Sequence, residues 1–146
     1  MKIAIGADHA GFTLKEEIKK YLIDKKIEVI DCGTYDTTSI DYPDYALPVS
    51  KMVSGNEVEL GILICYTGIG MSMCANKVKG VRAALVGSVE NAILTREHNN
   101  ANVLCLGAKD TEVSLAFEIV NAFINTEFTH GRHERRVNKM VMIENE

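Results

Sequence analysis

A run of six apolar residues near the middle of the chain most constrains the fold. This run, Leu60–Cys65, reads LGILIC and places no charged or amide side chain on either face of a strand. A strand of this kind is buried on both sides, as in a parallel sheet that helices cover on both faces. Thr67, a Gly-x-Gly spacing from Gly68 to Gly70 and an apolar segment up to Lys77 follow. The stretch therefore predicts a buried strand, a tight turn and a helix.

The same alternation of strand and helix recurs along the whole chain. Strands are predicted at residues 2–7, 28–31, 60–65, 81–86 and 103–106, and a helical pattern follows each of them. We expect Thr13 and Glu16 to cap the first helix, Pro48 to lie near the first turn of the second, and residues 132–143 to form a sixth helix. The pattern predicts a single domain over residues 1–146, a three-layer α/β/α sandwich with a five-stranded parallel sheet and an extra C-terminal helix.

Charge, apolar runs and cysteine spacing disfavour several classes of function. The net charge is −4, which disfavours binding of nucleic acid through overall positive charge. No apolar run approaches the roughly 18 residues of a membrane span. The chain begins MKIAIGADHAG, without the apolar core of an export signal, and its four cysteines form no C-x-x-C pair. We therefore expect a reduced, cytoplasmic protein with no membrane or nucleic-acid partner.

Cys65 is the leading candidate for chemistry. Ligands of parallel α/β sheets bind at the carboxyl ends of the strands, and Cys65 ends the third predicted strand, ahead of a helix N-terminus. Such a position stabilises a thiolate or an oxyanion, although a buried structural thiol is the plain alternative. A cysteine phosphatase would need an arginine six residues further on, where Met71 stands. These observations favour Cys65 as a base that transfers protons.

Two glycine patterns fall short of nucleotide-binding motifs. The turn from Gly68 lacks the third glycine of a dinucleotide fingerprint, and the bulky Met73 follows it. The earlier pattern from Gly6 to Gly11 resembles a phosphate-binding P-loop, but Phe12 occupies the position of its lysine. No cluster of His, Cys, Asp and Glu has the spacing of a metal site. We expect neither a nucleotide cofactor nor a metal.

The histidines and the last helix supply further candidates. His9 follows a strand beside Asp8 and is expected to face a ligand, whereas His130 and His133 are expected on the solvated surface. His98 ends a helix, a favourable position for a histidine through the helix dipole alone.

The last helix carries a basic face and an apolar face. Its basic face holds Arg132, Arg136 and Lys139, and its apolar face holds Val137, Met140 and Val141. The basic face is either simply solvated or a grip for phosphate, for which arginine is well suited. In the second case, packing of the apolar face on another subunit would carry the arginines to that subunit's site.

Five segments resemble the type B ribose-5-phosphate isomerase family, which also includes allose- and galactose-6-phosphate isomerases. They run in order from about Lys2 to Val137 and read GADHAGFTLK, DYPDYA, CYTGIGMS followed by ANKVKGVRAAL, REHNNANVLCLGAK, and GRHERRV. The resemblance implies a metal-independent aldose–ketose isomerase of the pentose phosphate pathway that works through a cis-enediolate. It also implies a Rossmann-like fold, and a homodimer or tetramer whose active sites are shared between subunits.

Carried over by position, the resemblance assigns roles to individual residues. Cys65 is implied as the base between C1 and C2, His98 as the group that opens the furanose ring, and Thr67 as an assistant near the reacting oxygens. The remaining implied roles are substrate binding: an anion hole from the backbone of Tyr66, Gly68, Ile69 and Gly70, sugar contacts from Asp8, His9 and Asn99, and a phosphate grip from Arg132 and Arg136.

Two residues depart from the usual family pattern. Tyr66 stands where a glycine normally follows the cysteine, so we expect a strained backbone there and a narrowed site. Lys109 replaces a common arginine and keeps the charge without the bidentate fork. Ribose 5-phosphate and ribulose 5-phosphate are the expected substrates. A six-carbon sugar phosphate and a non-catalytic sensor of sugar phosphates remain the alternatives.

Overall fold

A computed structural model gives the structure of the protein and describes residues 1–146. The strands are β1 (Lys2–Ala7), β2 (Glu28–Asp31), β3 (Leu60–Cys65), β4 (Ala83–Leu85) and β5 (Val103–Gly107). The helices are α1 (Phe12–Asp24), α2 (Pro43–Ser54), α3 (Ile69–Ala75), α4 (Val89–Asn99), α5 (Val113–Asn125) and α6 (Arg132–Met142), and a 3-10 turn, Ile143–Asn145, follows.

The five strands form one parallel sheet in the order β2-β1-β3-β5-β4, which confirms the predicted fold class. β3 lies at the centre, with Ile62 opposite Ile5 on β1 and Leu104 on β5. Central strands have no exposed edge and, here, no exposed face, which explains why β3 is apolar throughout. The insertion of the last strand, β5, between β3 and β4 was not predicted.

Helices cover both faces of the sheet and complete the three layers. Ile62 and Ile64 of β3 join a buried cluster with α1, α4 and α5, whereas Leu63 and Cys65 join a second cluster with α2 and α3. Alternate side chains of a strand point to opposite faces, so a single strand supplies both cores. α6 packs outside these layers against α4.

The structure corrects three local predictions. Gly11, rather than Thr13, is the residue before α1, and no side chain caps that helix, so the predicted capping box is wrong. A Cβ at Gly11 would lie 2.5 Å from the Ile64 carbonyl oxygen, and this close packing fixes where the helix begins. Pro48 lies inside α2, because Pro43 already occupies its first turn. β4 has only three residues.

The short edge strand β4 is tied to the neighbouring loop by one side chain. The Ala83 N–H donates to Asn76 Oδ1 at 2.8 Å, and Asn76 Nδ2 donates back to the Ala83 carbonyl at 2.9 Å. The edge is thus held by an amide that copies the hydrogen bonding of a neighbouring strand. Among the helices, none combines the length and the apolar character needed to cross a bilayer.

Candidate active site

Cys65 lies at the carboxyl end of β3 with its thiol against a backbone donor. Its side chain is buried, and its Sγ accepts a hydrogen bond from the Gly68 N–H at 3.1 Å. Gly68 has a φ of +78°, and a Cβ there would lie 2.8 Å from the backbone of Leu106. Both the left-handed conformation and the close approach require glycine. The turn therefore aims a backbone donor at the sulfur.

The N–H groups of the same turn are divided between internal and free donors. Gly68 uses its N–H on the sulfur, and the Ile69 N–H donates to Thr67 Oγ1 at 3.3 Å. The N–H groups of Tyr66, Thr67 and Gly70 have no acceptor in the chain. The anion hole expected from residues 66–70 is therefore reduced, because Gly68 and Ile69 are already engaged. Thr67 accepts through its hydroxyl oxygen and keeps its own proton for donation.

The strain expected at Tyr66 is absent. Tyr66 does not adopt a positive φ, because Gly68 takes the left-handed position of the turn. Its carbonyl accepts from the Lys109 N–H at 2.8 Å, and the residue as a whole is 57% exposed. The backbone thus tolerates a tyrosine here, and the side chain lies in solvent beside the thiol.

Asp8 and His9 reach the same edge of the sheet from β1. The Asp8 N–H donates to the Ile64 carbonyl at 3.1 Å, one residue before Cys65. The buried Asp8 carboxylate accepts from the Gly11 N–H at 3.0 Å through Oδ1. His9 is half-buried, and its Nδ1 accepts from the Ile40 N–H at 3.2 Å. Asp8 keeps a second carboxylate oxygen for a ligand hydroxyl.

We define the thiol half-site as the candidate residues gathered at this carboxyl edge: Asp8, His9, Cys65, Tyr66, Thr67, Gly68, Ile69, Gly70 and Lys109.

The other three cysteines lack the backbone donor that Cys65 has. Burial raises the pKa of Cys32, Cys74 and Cys105 above the ordinary value for a thiol. Cys105 is fully buried on β5, beside Leu63 of β3. Cys65 alone accepts a backbone N–H.

His98 and Asn99 lie at the opposite end of the sheet. α4 starts after the carboxyl end of β4 and runs back along the sheet, so that Ala101 and Asn102 enter β5 at its amino end. A six-residue strand spans about 20 Å. Cys65 and His98 of one chain are therefore separated by roughly the length of the sheet, and the chain does not bring them together.

A second cluster surrounds His98. The imidazole of His133 stacks on that of His98, with ring centroids 4.1 Å apart, which corrects the expectation that His133 is simply solvated. Desolvation, followed by the positive charges of His98, Arg132 and Arg136, lowers the pKa of His133. Neither arginine has an acidic partner within ion-pair distance. We call His98, Asn99, Arg132, His133 and Arg136 the basic half-site.

The apolar face of α6 has a partner within the chain. Val137 is buried, and α6 lies against α4. Val137 is therefore covered by α4 of the same chain, and packing of the rest of this face on a second subunit stays a prediction. Farther along, Met140, Met142 and Ile143 remain exposed. His130 is exposed, as expected, and lies 3.5 Å from Glu134.

Two residues beside the thiol half-site were not singled out from the sequence. The ring of Tyr42 covers Gly70, where a Cβ would lie 2.6 Å from Tyr42 Cε1. Ile40 supplies the N–H that His9 accepts. The DYPDYA segment contained the signal for Tyr42, whereas nothing in the sequence pointed to Ile40, which acts through its backbone. No group of three or more His, Cys, Asp or Glu residues could hold a metal ion.

A doubly covered parallel sheet with a thiol at the carboxyl edge of its central strand defines a class of α/β proteins that bind small ligands at that edge. The family model described as Ribose/Galactose Isomerase matches residues 3–140. Ribose-5-phosphate isomerase B of Escherichia coli is 46% identical over 143 residues, covering 98% of this chain and 96% of that protein.

Solved structures agree with the sequence relatives. The ribose-5-phosphate isomerase B of Clostridium thermocellum has a TM-score of 0.98 at 47% identity, covering 99% of this chain and 98% of its own. The Mycoplasma genitalium enzyme of the same name, solved with bound ribulose-5-phosphate, has a TM-score of 0.95 at 47% identity, covering 99% and 97%. The chain belongs to the ribose/galactose isomerase family.

Proposed function

We propose that the protein interconverts D-ribose 5-phosphate and D-ribulose 5-phosphate through a cis-enediolate, without a metal. The observation that carries this proposal is the Cys65 thiol, which accepts the Gly68 N–H at 3.1 Å at the carboxyl edge of the central strand. Relatives named ribose-5-phosphate isomerase B support the substrate. We also propose that the enzyme acts in the cytoplasm, within the pentose phosphate pathway, where its four free cysteines stay reduced.

The proposed chemistry needs a base and a stabiliser of negative charge. A proton on the carbon beside a carbonyl becomes acidic only when the resulting enediolate is stabilised. The Cys65 thiolate would take that proton from one carbon and return it to the neighbouring carbon. The free N–H groups of Thr67 and Gly70, together with the Thr67 hydroxyl, would donate to the enediolate oxygens. Asp8 would hold a sugar hydroxyl beside them.

The basic half-site would supply ring opening and the phosphate grip. His98 would move a proton between the ring oxygen and the C1 hydroxyl, and Asn99 would bind the sugar. Arg132 and Arg136 have no acidic partners, so their guanidinium groups are free for a phosphate. Lys109, exposed after β5, would add positive charge on the thiol side.

We propose that two copies of the chain form each complete site. The thiol half-site and the basic half-site lie at opposite ends of the sheet, so one substrate can touch both only if they come from different chains. Exposed apolar side chains beside the thiol half-site supply a surface for such a contact: Tyr66, Ile69, Met73 and Leu85. A two-fold homodimer would pair each half-site with the other chain's complement. A tetramer would be built from two such dimers.

Turnover of different sugars tests the substrate. We expect the highest kcat/KM with ribose 5-phosphate when it is compared with allose 6-phosphate and galactose 6-phosphate. Equal or better turnover of a six-carbon sugar would instead identify a hexose phosphate isomerase, a second candidate that the family description and the exposed Tyr66 ring favour.

Solvent exchange tests whether the protein is a catalyst. In deuterated water, we expect ribulose 5-phosphate to gain deuterium at C1 in the presence of the protein. The Cys65→Ala variant is the matched control and should bind the sugar without exchange. Binding by the wild-type protein with no exchange would indicate a sensor of sugar phosphates.

A further inference from the structure

Lys15 is a fully buried lysine that the proposed reaction does not use. It lies on α1, and its side chain has 0% exposure. Its Nζ contacts Asp31 Oδ1 at 2.7 Å and Oδ2 at 2.8 Å. Burial of an ammonium group is costly unless the charge is paired, and the two short contacts meet that need. Such a costly arrangement calls for a reason beyond filling space.

Asp31 also forms hydrogen bonds with the loop that follows β2. Its Oδ1 also accepts from the Gly33 N–H at 2.9 Å, and Lys19 Nζ lies 2.8 Å from Oδ2. The Tyr35 hydroxyl donates to the Asp31 carbonyl at 3.1 Å, and the Tyr35 ring lies 5.4 Å from Lys15 Nζ. The start of the loop is therefore fixed to α1 through one carboxylate.

The same turn is locked to the end of β1, just before Asp8. The Ala7 N–H donates to the Gly33 carbonyl, and the Thr34 N–H donates to the Ala7 carbonyl, both at 2.8 Å. Gly33 has a φ of +93°, and a Cβ there would lie 2.7 Å from the Tyr45 ring. The position of the turn is thus set from both sides.

The far part of the loop ends on His9. The Ile40 N–H donates to His9 Nδ1 at 3.2 Å. A nitrogen that accepts a hydrogen bond carries no proton, so the neutral imidazole holds its proton on Nε2. That Nε2–H is the group left to donate to a ligand oxygen.

We infer that Lys15 and Asp31 are positioning residues, which hold the loop of residues 33–41 so that Ile40 orients His9 toward a phosphate or hydroxyl oxygen of the substrate. The choice of a sugar phosphate as ligand rests on the proposed function. The contacts of Lys15 and Asp31 at the start of the loop, and of Ile40 with His9 at its end, do not rest on that function.

Hydrogen exchange at the Ile40 amide tests the contacts without any assay of activity. In the wild-type protein, this amide should exchange at least about tenfold more slowly than an unprotected amide. Lys15→Met and Asp31→Ala should remove that protection while the amides of β1 and β3 keep theirs. Lys19→Met, which removes a partly exposed lysine from the same carboxylate, is the matched control and should leave Ile40 protected.

The outcomes separate positioning from general stability. Unchanged protection of Ile40 in Lys15→Met and Asp31→Ala would overturn the inference. Equal loss of protection across β1, β3 and Ile40 would also overturn it, because the pair would then only stabilise the fold.

Kinetics extend the test to the ligand. Lys15→Met should raise KM for ribose 5-phosphate by about fivefold or more while kcat changes less than about twofold, as His9→Ala should. In the His9→Ala background, Lys15→Met should raise KM no further, because both changes remove the same contact. Additive effects would overturn the link to His9. Absence of any isomerisation would refute the proposed function and leave the exchange result to decide the inference.

Discussion

The two half-sites are built in different ways. In the thiol half-site, Cys65 and Asp8 are buried and accept hydrogen bonds from the backbone. In the basic half-site, Arg132 and Arg136 are exposed on a helix surface, and His98 is held by stacking on His133. The first depends on the exact course of the main chain, and the second on which side chains one helix face presents. We therefore expect transfer of the carbon-bound proton to depend on the buried half-site, and the phosphate grip to depend on the exposed one.

The largest expected effect is on the thiol. Cys65→Ala should lower kcat by roughly 10²–10⁴-fold, the contribution of a positioned proton-transfer group, and leave substrate binding intact. Cys105→Ala is the matched control, because that buried thiol lies outside the half-site and its loss should leave kcat unchanged. Initial rates and a binding titration measure both effects. Full isomerisation by Cys65→Ala would remove the thiol from the mechanism.

Substitution of an arginine in the basic half-site should mainly raise KM. Arg136→Ala should raise KM by roughly 10–100-fold, because one charge-assisted hydrogen bond to phosphate is lost, and kcat should change less. Arg135→Ala is the matched control, since the same charge is removed from the same helix one residue away. If both variants raise KM equally, overall positive charge rather than a specific grip attracts the substrate.

Mixing the two kinds of variant tests whether the halves come from different chains. After subunit exchange between equal amounts of Cys65→Ala and Arg136→Ala, half of the dimers should be mixed, each with one intact site. At a substrate concentration well below the wild-type KM, where Arg136→Ala alone is nearly inactive, activity should therefore return to roughly a quarter of the wild-type value. Confirmed heterodimers without this recovery would place both half-sites of an active centre in one chain.

Acid should weaken the hydrogen bonds of the Asp31 carboxylate, which holds the loop beside the thiol half-site. Burial favours the neutral acid of Asp31, but hydrogen bonds from Lys15, Lys19 and the Gly33 N–H outweigh it and lower the pKa of Asp31. The folded-state pKa lies below the unfolded value, so the stabilisation is complete above about pH 4 and is lost as the pH falls through the lowered pKa.

The Asp31→Asn variant should therefore show a flatter fall in the free energy of unfolding below about pH 4 than the wild-type protein. At neutral pH, Asp31→Asn should be about 3 kcal/mol less stable, since the buried Lys15 loses its nearest anion and keeps only the Glu16 carboxylate, 3.5 Å from its Nζ. Urea unfolding at several pH values measures both quantities, and Asp24→Asn, at an exposed carboxylate, is the control. Equal pH profiles for the wild-type protein and Asp31→Asn would contradict the assignment.

Much of the fold was predictable because it follows local patterns. The apolar run of β3 and the glycine turn after it predicted the central strand, the turn and α3. The order of the strands was not predictable, since the position of β5 between β3 and β4 depends on packing between distant segments. The short β4 was overpredicted, because residues such as Val81 are apolar for a different reason: they fill the core under α2 and α3.

The residues of the candidate site also fall into those that the sequence could predict and those that it could not. Cys65 could be predicted as a site residue because it ends a strand, and Asp8 because it directly follows one. The stacking of His133 on His98 could not be predicted, because it joins helices far apart in sequence. The unstrained backbone of Tyr66 could not be predicted either, since the conformation of that turn depends on Gly68 packing against Leu106.

The Asn76 side chain that occupies the outer edge of β4 also limits how the molecule can aggregate. An exposed strand edge is a template onto which another chain can add a strand, and repeated addition leads to fibrils. Here, an amide already uses the Ala83 N–H and carbonyl, and only three residues of strand are present. Growth of the sheet from one molecule into the next is therefore blocked at that edge.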